Sequence, residues 1–561
     1  MRKTSQQASL LLLAILALVP LGVSAFPPPT TATASSPGVK DILAYISKGW
    51  NELTRSMSEC RTFSDPKTGE KSTLYLPADF PVPSGLKAVG ARCEVHITPL
   101  PSVIKKLGQI DPSSIRPPGL LYLPEPYVVP GGMFNEMYGW DSYFIIRGLI
   151  DDGRLGLARD IVDNFFFEMD HYGEVLNANR TYYLTRSQPP FLTSMIRALY
   201  AAEKAKGQAD PAWLAKAYRY AVTNYRFWTS PPHLAGTTGL SRYYGFGEGP
   251  VPELGGGATP YYEQVARYFL VHPADSRPYL MDVGQATPDS KVMGPEFSLL
   301  IGEGASKGEE NIARLALTPR FYKGDRSMRE SGFDVSFRFG PFGANTQDFA
   351  AVGLNSLLYK TEKDLEWMSS ELGLKKDSGQ WRQLALNRRA EINQYFWDPE
   401  LNLYYDYDFK SGHRSLYTYA TTFYPLWTGA ASPDEAAAVV KNLSAFEQPG
   451  GIVMSMNDTG AQWDSPYGWA PIQLIAVEGL RRYGYQEAAD RISYEFLSMV
   501  LDNFRRDGTI REKYNVVTRS RETQVQVGYK TNVVGFGWTN GVFLALFDAL
   551  PKPLQAQLNK E

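Results

Sequence analysis

The sequence has few of the residues on which metal and thiol chemistry depend. It holds two cysteines and five histidines in 561 residues, and neither a His-Glu-x-x-His nor a Cys-x-x-Cys pattern occurs. Zinc sites commonly use those spacings. The glycine-rich segment 302–308 lacks the Gly-Lys-Ser/Thr ending of a phosphate loop, and we interpret it as a surface loop. The sequence therefore argues against a metal site and against a phosphate loop.

The sequence also lacks an excess of charge of either sign, since its formal net charge is −2. A nucleic-acid-binding surface needs surplus Lys and Arg to displace counterions, so we predict no nucleic-acid partner. Aromatic residues are plentiful instead, with 34 Tyr and 11 Trp. Such rings combine an apolar face with a polar tip and suit pockets for half-apolar ligands such as sugars, although a large aromatic core has the same composition.

The N-terminus has the pattern of a secretory signal peptide at residues 1–25. Arg2 and Lys3 form the charged start, 8–21 is an apolar run, and 23–25 are small residues. The apolar run is short for a membrane span, so we expect no stable membrane insertion after cleavage, with an uncleaved anchor as the alternative. Residues 26–40 read as a flexible linker. The pattern predicts an exported protein, periplasmic or secreted.

The two cysteines, Cys60 and Cys93, lie 33 positions apart. In an oxidising compartment a lone pair at such a distance is expected to form a disulfide. Two free buried thiols are the alternative interpretation. A disulfide would pin the segment 41–115, which we interpret as an N-terminal cap of helix, short strands and loops.

From about residue 130 the chain alternates between helical periodicity and loops rich in Gly, Pro and aromatic residues. Several of these loops lead directly into a helix: WDSYF precedes an apolar helical pattern, and so does GWTNG. Helices that are repeatedly entered from such loops indicate a helical barrel with its functional loops gathered at one end. We therefore predict a mainly α fold, with the barrel in residues 116–561, and we expect a monomer.

Carboxylates are the remaining candidates for chemistry, because several lie in or near the aromatic loops. Two carboxylates across an aromatic cleft can cleave a glycosidic bond, one protonating the leaving oxygen and the other activating water or attacking the anomeric carbon. Taken singly, each acid is more often a helix cap or an ion-pair partner. The candidates are Glu136, Asp141, Glu253, Glu330, Asp334, Asp464 and Glu512.

Two segments, PGGMFNEMYGWDSYF (130–144) and QWDSPYGWAP (462–471), resemble the signatures of the trehalases, inverting glycoside hydrolases that split α,α-trehalose into two glucoses. ANRTYYLTRSQPP, RESGFDVSFRF, LNSLLYKTEKDL, EKYNV and GFGWTNGV are similar to further blocks of that family in the same order. The similarity covers roughly residues 120–550. It implies an (α/α)6 barrel, a small disaccharide substrate, and neither a metal nor an organic cofactor.

The resemblance also implies roles for individual residues. Asp334, in RESGFD, falls on the general acid of the family, and Glu512, in EKYN, falls on its general base. An acid of this kind must be protonated at neutral pH, which requires a pKa raised by burial or by nearby acids. The residues implied to contact the sugar are Phe134, Tyr138, Trp140, Asp141, Asn177, Arg186, Gln188, Glu253, Gly332 and Trp463.

Departures from the family pattern leave alternatives open. Met133 stands in PGGMF where the family usually has Arg, and the stretch before GFGW lacks the usual glycine-rich lid. Asn515 follows in EKYN where Asp is usual. One alternative is an inverting α-glucosidase of the same barrel type that acts on another disaccharide. The other is a catalytically inactive sugar-binding relative, against which the retained Asp334 and Glu512 argue.

Overall fold

Helices are the main secondary structure of the protein, with short strands in the connections between them. A computed structural model describes residues 37–65, 70–276, 278–285, 291–300 and 312–560. The predicted signal peptide, 1–25, and all but the last four residues of the predicted linker, 26–40, lie outside the described residues.

The helices are given in chain order, and all lie in the described part of the chain. They are α1 (Val39–Leu53), α2 (Leu86–Cys93), α3 (Asp141–Asp151), α4 (Leu155–Tyr172), α5 (Leu192–Ala205), α6 (Pro211–Trp228), α7 (Ala258–Val271), α8 (Pro273–Ser276), α9 (Pro319–Glu330), α10 (Val352–Glu371), α11 (Lys375–Phe396), α12 (Tyr424–Thr428), α13 (Pro433–Lys441), α14 (Ala470–Arg482), α15 (Gln486–Asp507), α16 (Gly537–Ala549) and α17 (Lys552–Leu558).

Six of these helices form a closed inner ring. In order around the ring, each contacts the next, and the last contacts the first: α3, α5, α10, α12, α14 and α16. Outer helices pack against them, with α4 on α3, α6 on α5, α11 on α10 and α15 on α14. The prediction of a mainly α, (α/α)6 barrel is confirmed.

The sequences of inner and outer helices differ as their positions require. The inner helix α16 is buried at every position from Gly537 to Leu546, because it meets neighbours on all sides. The outer helix α11 buries one stripe, which includes Trp381, Ala385 and Ile392, and exposes its other face. The inner ring is closely packed: a Cβ on Gly541 of α16 would lie 2.1 Å from the carbonyl oxygen of Phe144 in α3, so a larger residue would separate the two helices.

The strands are short and belong to small sheets between the helices. They are β1 (Thr54–Arg55), β2 (Leu74–Leu76), β3 (Ile97–Pro99), β4 (Leu120–Leu121), β5 (Tyr127–Val128), β6 (Leu280–Asp282), β7 (Glu296–Leu300), β8 (Ile312–Leu317), β9 (Phe349–Ala350), β10 (Trp397–Asp398), β11 (Leu403–Tyr404), β12 (Tyr407–Asp408), β13 (His413–Arg414), β14 (Glu447–Gln448), β15 (Gly451–Ile452), β16 (Tyr467–Trp469) and β17 (Lys513–Asn515).

Two of these sheets matter for the architecture. In the N-terminal segment, β2 lies between β3 and β4 and runs parallel to both. At the barrel mouth, β16 pairs antiparallel with β17, so that Trp469 is opposite Lys513. Residues 37–561 form one compact unit that contains the predicted cap, 41–115, and the predicted barrel, 116–561. Across the described ranges, we find no helix of sufficient length and apolarity to traverse a bilayer.

Candidate active site

A cavity of about 390 Å³ opens where the inner helices begin. Asp141 is the first residue of α3, Trp538 lies in the first turn of α16, and Trp469 directly precedes α14. The twelve residues that the family resemblance assigns to catalysis and sugar contact all line this cavity. The blocks that are far apart in sequence therefore meet in one place, while the role of each residue remains a prediction.

Tryptophan rings form much of the cavity wall. Trp463 and Trp469 stack with ring centroids 3.9 Å apart and planes 7° from parallel. Trp140 lies 5.9 Å from Trp463, and Trp538 meets Trp469 edge to face at 5.6 Å. The indole N–H of Trp469 donates to the carbonyl oxygen of Gln462. Flat apolar rings in this arrangement offer stacking surfaces for the apolar faces of sugar rings.

Asp334 enters the cavity from a turn after α9. Gly332 in that turn has φ +76°, and a Cβ there would lie 2.9 Å from the ring of Trp140, so the turn depends on glycine. Burial raises the pKa of Asp334 to about 7; the positive charges of Arg329 and Arg186 oppose this rise, and the negative charge of Glu253 adds to it. A carboxyl with such a pKa can hold a proton near neutral pH and give it up to a leaving group.

A network of charged side chains surrounds Asp334. Arg329 places Nη1 3.4 Å from Oδ2 of Asp334 and 3.2 Å from the hydroxyl of Tyr529. Arg186 donates from Nη2 to Oε1 of Glu253 at 2.6 Å. Burial alone would raise the pKa of Glu253, but the charges of Arg186 and Arg329 outweigh it and hold the pKa below its ordinary value. Glu253 is thus an ionised partner for the arginines.

Glu512 also lines the cavity and lies immediately before β17. Its backbone N–H donates to the carbonyl oxygen of Val533, and its own carbonyl oxygen accepts from the indole of Trp538. Oε2 of Glu512 lies 3.3 Å from Nζ of Lys513, whose side chain is fully buried. Arg511, which precedes Glu512 in the sequence, instead pairs with Asp507 at 2.7 Å.

Asp141 is a fourth carboxyl in the cavity, beside Asp334, Glu253 and Glu512. Burial raises its pKa to about 8, and the nearby carboxylates Glu512 and Asp334 add to the rise. The turn that carries it is held by Gln188, whose Oε1 accepts from the N–H of Trp140 at 3.0 Å. A protonated Asp141 can donate a hydrogen bond to a sugar hydroxyl as well as accept one.

Three of the candidate carboxylates do not line the cavity. Glu136 forms an ion pair with Arg180. Glu330 is buried beside His233 and accepts from the N–H of Tyr244. Asp464 accepts hydrogen bonds from Phe337, Ser455 and Thr459, so it ties loops together.

Several lining residues escaped the sequence prediction of site residues. Two of them, Tyr182 and Tyr183, lie within the ANRTYYLTRSQPP block and could have been found from its aromatic pair. The stretch before GFGW, which lacks the glycine-rich lid, nevertheless covers one side of the cavity. It contributes Tyr529, Lys530, Thr531 and Val533 to the lining.

The remaining predicted features lie elsewhere. Cys60 and Cys93 are joined as a disulfide between the short helical turn Cys60–Phe63 and the end of α2. Within the described ranges, no group of three or more His, Cys, Asp or Glu side chains could hold a metal ion.

Comparison with known proteins gives a consistent result. The family model described as trehalase matches residues 27–255 and 305–551. A cytosolic neutral trehalase of Kluyveromyces lactis is 36% identical over 451 residues, which cover 75% of this chain and 56% of that protein. A probable trehalase of Saccharomyces cerevisiae is 37% identical, covering 75% of this chain and 54% of that protein. The chain thus spans little more than half the length of these curated relatives.

Among solved structures, the neutral trehalase Nth1 from Saccharomyces cerevisiae superposes with a TM-score of 0.74 and 30% sequence identity. The match covers 93% of this chain and 96% of that one.

The predicted exported location is wrong by these comparisons. The relatives from Kluyveromyces lactis, Saccharomyces cerevisiae and Emericella nidulans are named cytosolic neutral trehalases. The prediction of a periplasmic or secreted protein depended on one local pattern, a charged start followed by a short apolar run. Such a pattern concerns a few residues, whereas the relatives match three quarters of the chain.

Proposed function

The chain belongs to the trehalase family, and from this we propose that it hydrolyses α,α-trehalose to two glucose molecules with inversion at the attacked carbon. The observation that carries the proposal is that Asp334 and Glu512 line one cavity walled by tryptophan rings. Such a cavity supplies two carboxyls and stacking surfaces, which are the elements that glycoside hydrolysis needs.

In the proposed reaction, Asp334 is the general acid. Its carboxyl donates a proton to the glycosidic oxygen as the bond from that oxygen to the anomeric carbon breaks. Glu512 is the general base: its carboxylate takes a proton from a water molecule, whose oxygen bonds to the anomeric carbon from the opposite face. One molecule of trehalose and one of water thus give two of glucose. Inverting enzymes keep these carboxyls about 6.5–9.5 Å apart to leave room for the water.

The electrostatics of the cavity support this division of roles. Burial raises the pKa of Asp334 to about 7, so its carboxyl can be protonated near neutral pH. Oε2 of Glu512 lies 3.3 Å from the ammonium group of Lys513, with which it forms an ion pair. Asp334 therefore has the environment that a general acid requires, and Glu512 is held in place by a fixed partner.

We further propose that the other ten predicted residues bind the sugar. The tryptophans supply stacking surfaces, and Arg186, Asn177 and Gln188 supply hydrogen-bond donors for hydroxyl groups. Asp141, with its pKa raised to about 8, is suited to a hydroxyl that needs an acceptor or a donor.

The alternative substrate is another α-linked disaccharide, and Met133 is the observation that favours it. Met133 lines the cavity and offers no hydrogen-bond donor where the family usually has Arg. The deciding experiment measures glucose release from trehalose, maltose, kojibiose, nigerose and isomaltose by the purified protein. Release mainly from trehalose supports the proposal, release mainly from another disaccharide supports the alternative, and binding without release from any would indicate an inactive relative.

A further inference from the structure

Lys513 is a fully buried lysine that directly follows Glu512, a residue of the cavity lining. Its side chain has a relative exposure of 0%. A buried ammonium group is costly unless oxygen atoms replace the water it has lost. Here four oxygens lie within hydrogen-bonding distance of Nζ, although the group has three N–H donors.

These four oxygens belong to three different segments of the chain. Oε2 of Glu512 lies at 3.3 Å and Oε1 of Gln462 at 3.2 Å. The backbone carbonyl oxygens of Tyr529 and Thr531 lie at 3.2 and 3.1 Å. The ring of Trp469 lies beneath the ammonium group, with its centroid 5.2 Å from Nζ. The ammonium group of Lys513 therefore contacts the proposed base Glu512, the loop that contains Tyr529 and Thr531, and Gln462.

The glutamine extends this connection to the proposed acid. While its Oε1 accepts from Lys513, its Nε2 donates to the backbone carbonyl oxygen of Asp334. Gln462 can satisfy both partners in only one orientation of its amide, with the oxygen towards the ammonium group. Lys513 thus fixes the amide that supports the backbone of Asp334.

The loop that Lys513 contacts, residues 526–533, forms part of the cavity lining. Tyr529, Lys530 and Thr531 line the cavity. At its start the loop is fixed by the N–H groups of Gln526 and Val527, which donate to the carbonyl oxygen of Gly460. Further along, Asn532 forms two hydrogen bonds with the backbone of Lys513. In the middle of the loop, the ammonium group of Lys513 binds the backbone carbonyl oxygens of Tyr529 and Thr531, while Arg329 contacts the hydroxyl of Tyr529.

We propose that Lys513 is a positioning residue. Through its hydrogen bonds it fixes the positions of the 526–533 loop, Glu512 and Asp334 relative to one another. The proposal rests on the proposed function, since it concerns the groups assigned there as acid and base. Lys513 acts through Glu512, through Gln462 and through the loop carbonyls, and it need not touch the substrate. Removing its charge should release the loop and misplace both carboxyls at once.

The test replaces Lys513 with methionine, which has a similar length but no donor or charge. A misplacement of reacting groups by about 1 Å can cost roughly 10²-fold in rate. We therefore expect Lys513→Met to lower kcat on trehalose by about that factor and to raise KM, because the loop lines the cavity. Limited trypsin digestion with mass spectrometry should show faster cleavage after the exposed Lys530 than in the wild type.

Lys360→Met is the matched control. Lys360 is a partly buried lysine, 2.7 Å from a carboxylate oxygen of Asp364 and 5.5 Å from the ring centroid of Trp427, and it does not line the active-site cavity. This variant should lose stability while keeping kcat, KM and the rate of cleavage after Lys530. If Lys513→Met keeps the kcat and KM of the wild type, as the control should, the proposal is overturned. This holds whether or not the rate of trypsin cleavage after Lys530 changes.

Two further arms keep the outcomes separate. If Lys513→Met does not fold, Gln462→Met is the substitute, because it removes the hydrogen bonds from Gln462 to Nζ of Lys513 and to the backbone of Asp334. Loss of one such hydrogen bond should lower kcat by about tenfold. An unchanged kcat in Gln462→Met would overturn the proposal. If the wild type hydrolyses no disaccharide, the proposed function fails. In that case the cleavage rate after Lys530 still shows whether Lys513 holds the loop.

Discussion

Nη1 of Arg329 lies 3.4 Å from Oδ2 of Asp334, the proposed general acid. Burial raises the pKa of Asp334, and the charge of Arg329 is the largest influence that opposes the rise. The pair therefore keeps the pKa of Asp334 at about 7, where a buried carboxyl without a cation would lie higher. An acid that is half protonated near neutral pH can both give up its proton and regain it in each turnover.

The first prediction concerns the pH dependence of activity. Because Asp334 acts in its protonated form, kcat/KM should fall as pH rises through its pKa of about 7. Removing the positive charge in Arg329→Met should raise that pKa and move the fall to higher pH. Arg186 and Glu253 also face Asp334, with opposite signs, and both remain in this variant. The measurement is kcat/KM on trehalose from about pH 5 to about pH 9, a range that brackets the pKa of Asp334.

Arg326→Met is the control for this prediction. Arg326 lies one turn earlier on α9 and is buried, but it donates to the carbonyl oxygens of Glu248, Gly249 and Pro250. Its loss should lower stability without moving the pH at which activity falls. An equal shift in both variants would show that general disruption of α9, and not the charge beside Asp334, is responsible.

The second prediction concerns the two proposed reactive carboxyls. Asp334→Ala and Glu512→Ala should each lower kcat by ~10²–10⁴-fold, the usual contribution of general acid or base catalysis. Circular dichroism and thermal unfolding should show an intact fold. Glu136→Gln is the control, since Glu136 is a buried carboxylate outside the cavity, paired with Arg180. Near wild-type turnover in either alanine variant would remove that residue from its assigned role.

The third prediction concerns stereochemistry. Attack by water from the face opposite the leaving group inverts the anomeric carbon, so an α-linked glucose should be released first as β-glucose. Proton NMR within the first minutes of reaction, before mutarotation, distinguishes the two anomers. Trehalose carries two α-linked rings, so the attacked ring should appear as β and the departing ring as α in equal amounts. Early spectra with α-glucose alone would exclude the mechanism.

Much of the candidate site could be predicted because the residues assigned to it occupy loops that enter inner helices. Asp141 begins α3, and Trp463 belongs to the loop before α14. Such loops carry aromatic and polar residues in short, recognisable blocks. Matching the blocks in order was therefore sufficient to place twelve residues around one cavity.

The partners of those residues could not be predicted, because they are set by contacts between loops that are distant in sequence. Lys513 and Arg511 flank Glu512 equally in the sequence, yet only the register of β17 against β16 turns the lysine inward. Likewise, Glu330 and Glu253 are both acids near the aromatic loops. The burial of Glu330 beside His233, away from the cavity, depends on how α9 packs.

The fourth prediction concerns the Cys60–Cys93 disulfide. Closing a loop of 33 residues should stabilise the folded protein by roughly 3–4 kcal/mol in the chain-entropy model. Titration of the unfolded, non-reduced protein should find no free thiol, because both cysteines are in the disulfide. Reduction should lower the denaturant midpoint, because it removes this stabilisation. The double variant Cys60→Ser, Cys93→Ser should show the same lower midpoint with or without reductant. Two titratable thiols in the non-reduced protein would contradict the prediction.

The last prediction concerns Met133, which lines the cavity beside Phe134. An arginine at this position would offer up to five donors, and methionine offers none. Lost hydrogen bonds from a charged group cost ~1.5–3 kcal/mol each, which weakens binding by roughly one to two orders of magnitude. We therefore expect Met133→Arg to lower KM for trehalose by about tenfold or more.

Lys530 is the cation that could compensate for Met133. It lines the same cavity, is exposed, and forms no hydrogen bond or ion pair with the part of the chain that the structure describes. Arg326 is committed to backbone carbonyls, and Arg329 to Asp325, Asp334 and Tyr529. If Lys530 supplies the missing donor, Lys530→Met should raise KM for trehalose in the wild type.

The two substitutions are best combined in a double-mutant cycle, because such a cycle isolates the dependence of one residue on the other. If both cations serve the same sugar hydroxyl groups, Lys530→Met should raise KM strongly when Met133 is present and weakly when Arg replaces it. The panel of α-linked disaccharides should be measured alongside, since a shift of preference towards trehalose in Met133→Arg would identify position 133 as a determinant of specificity. Unchanged KM and preference in Met133→Arg would show that Met133 only packs against Phe134.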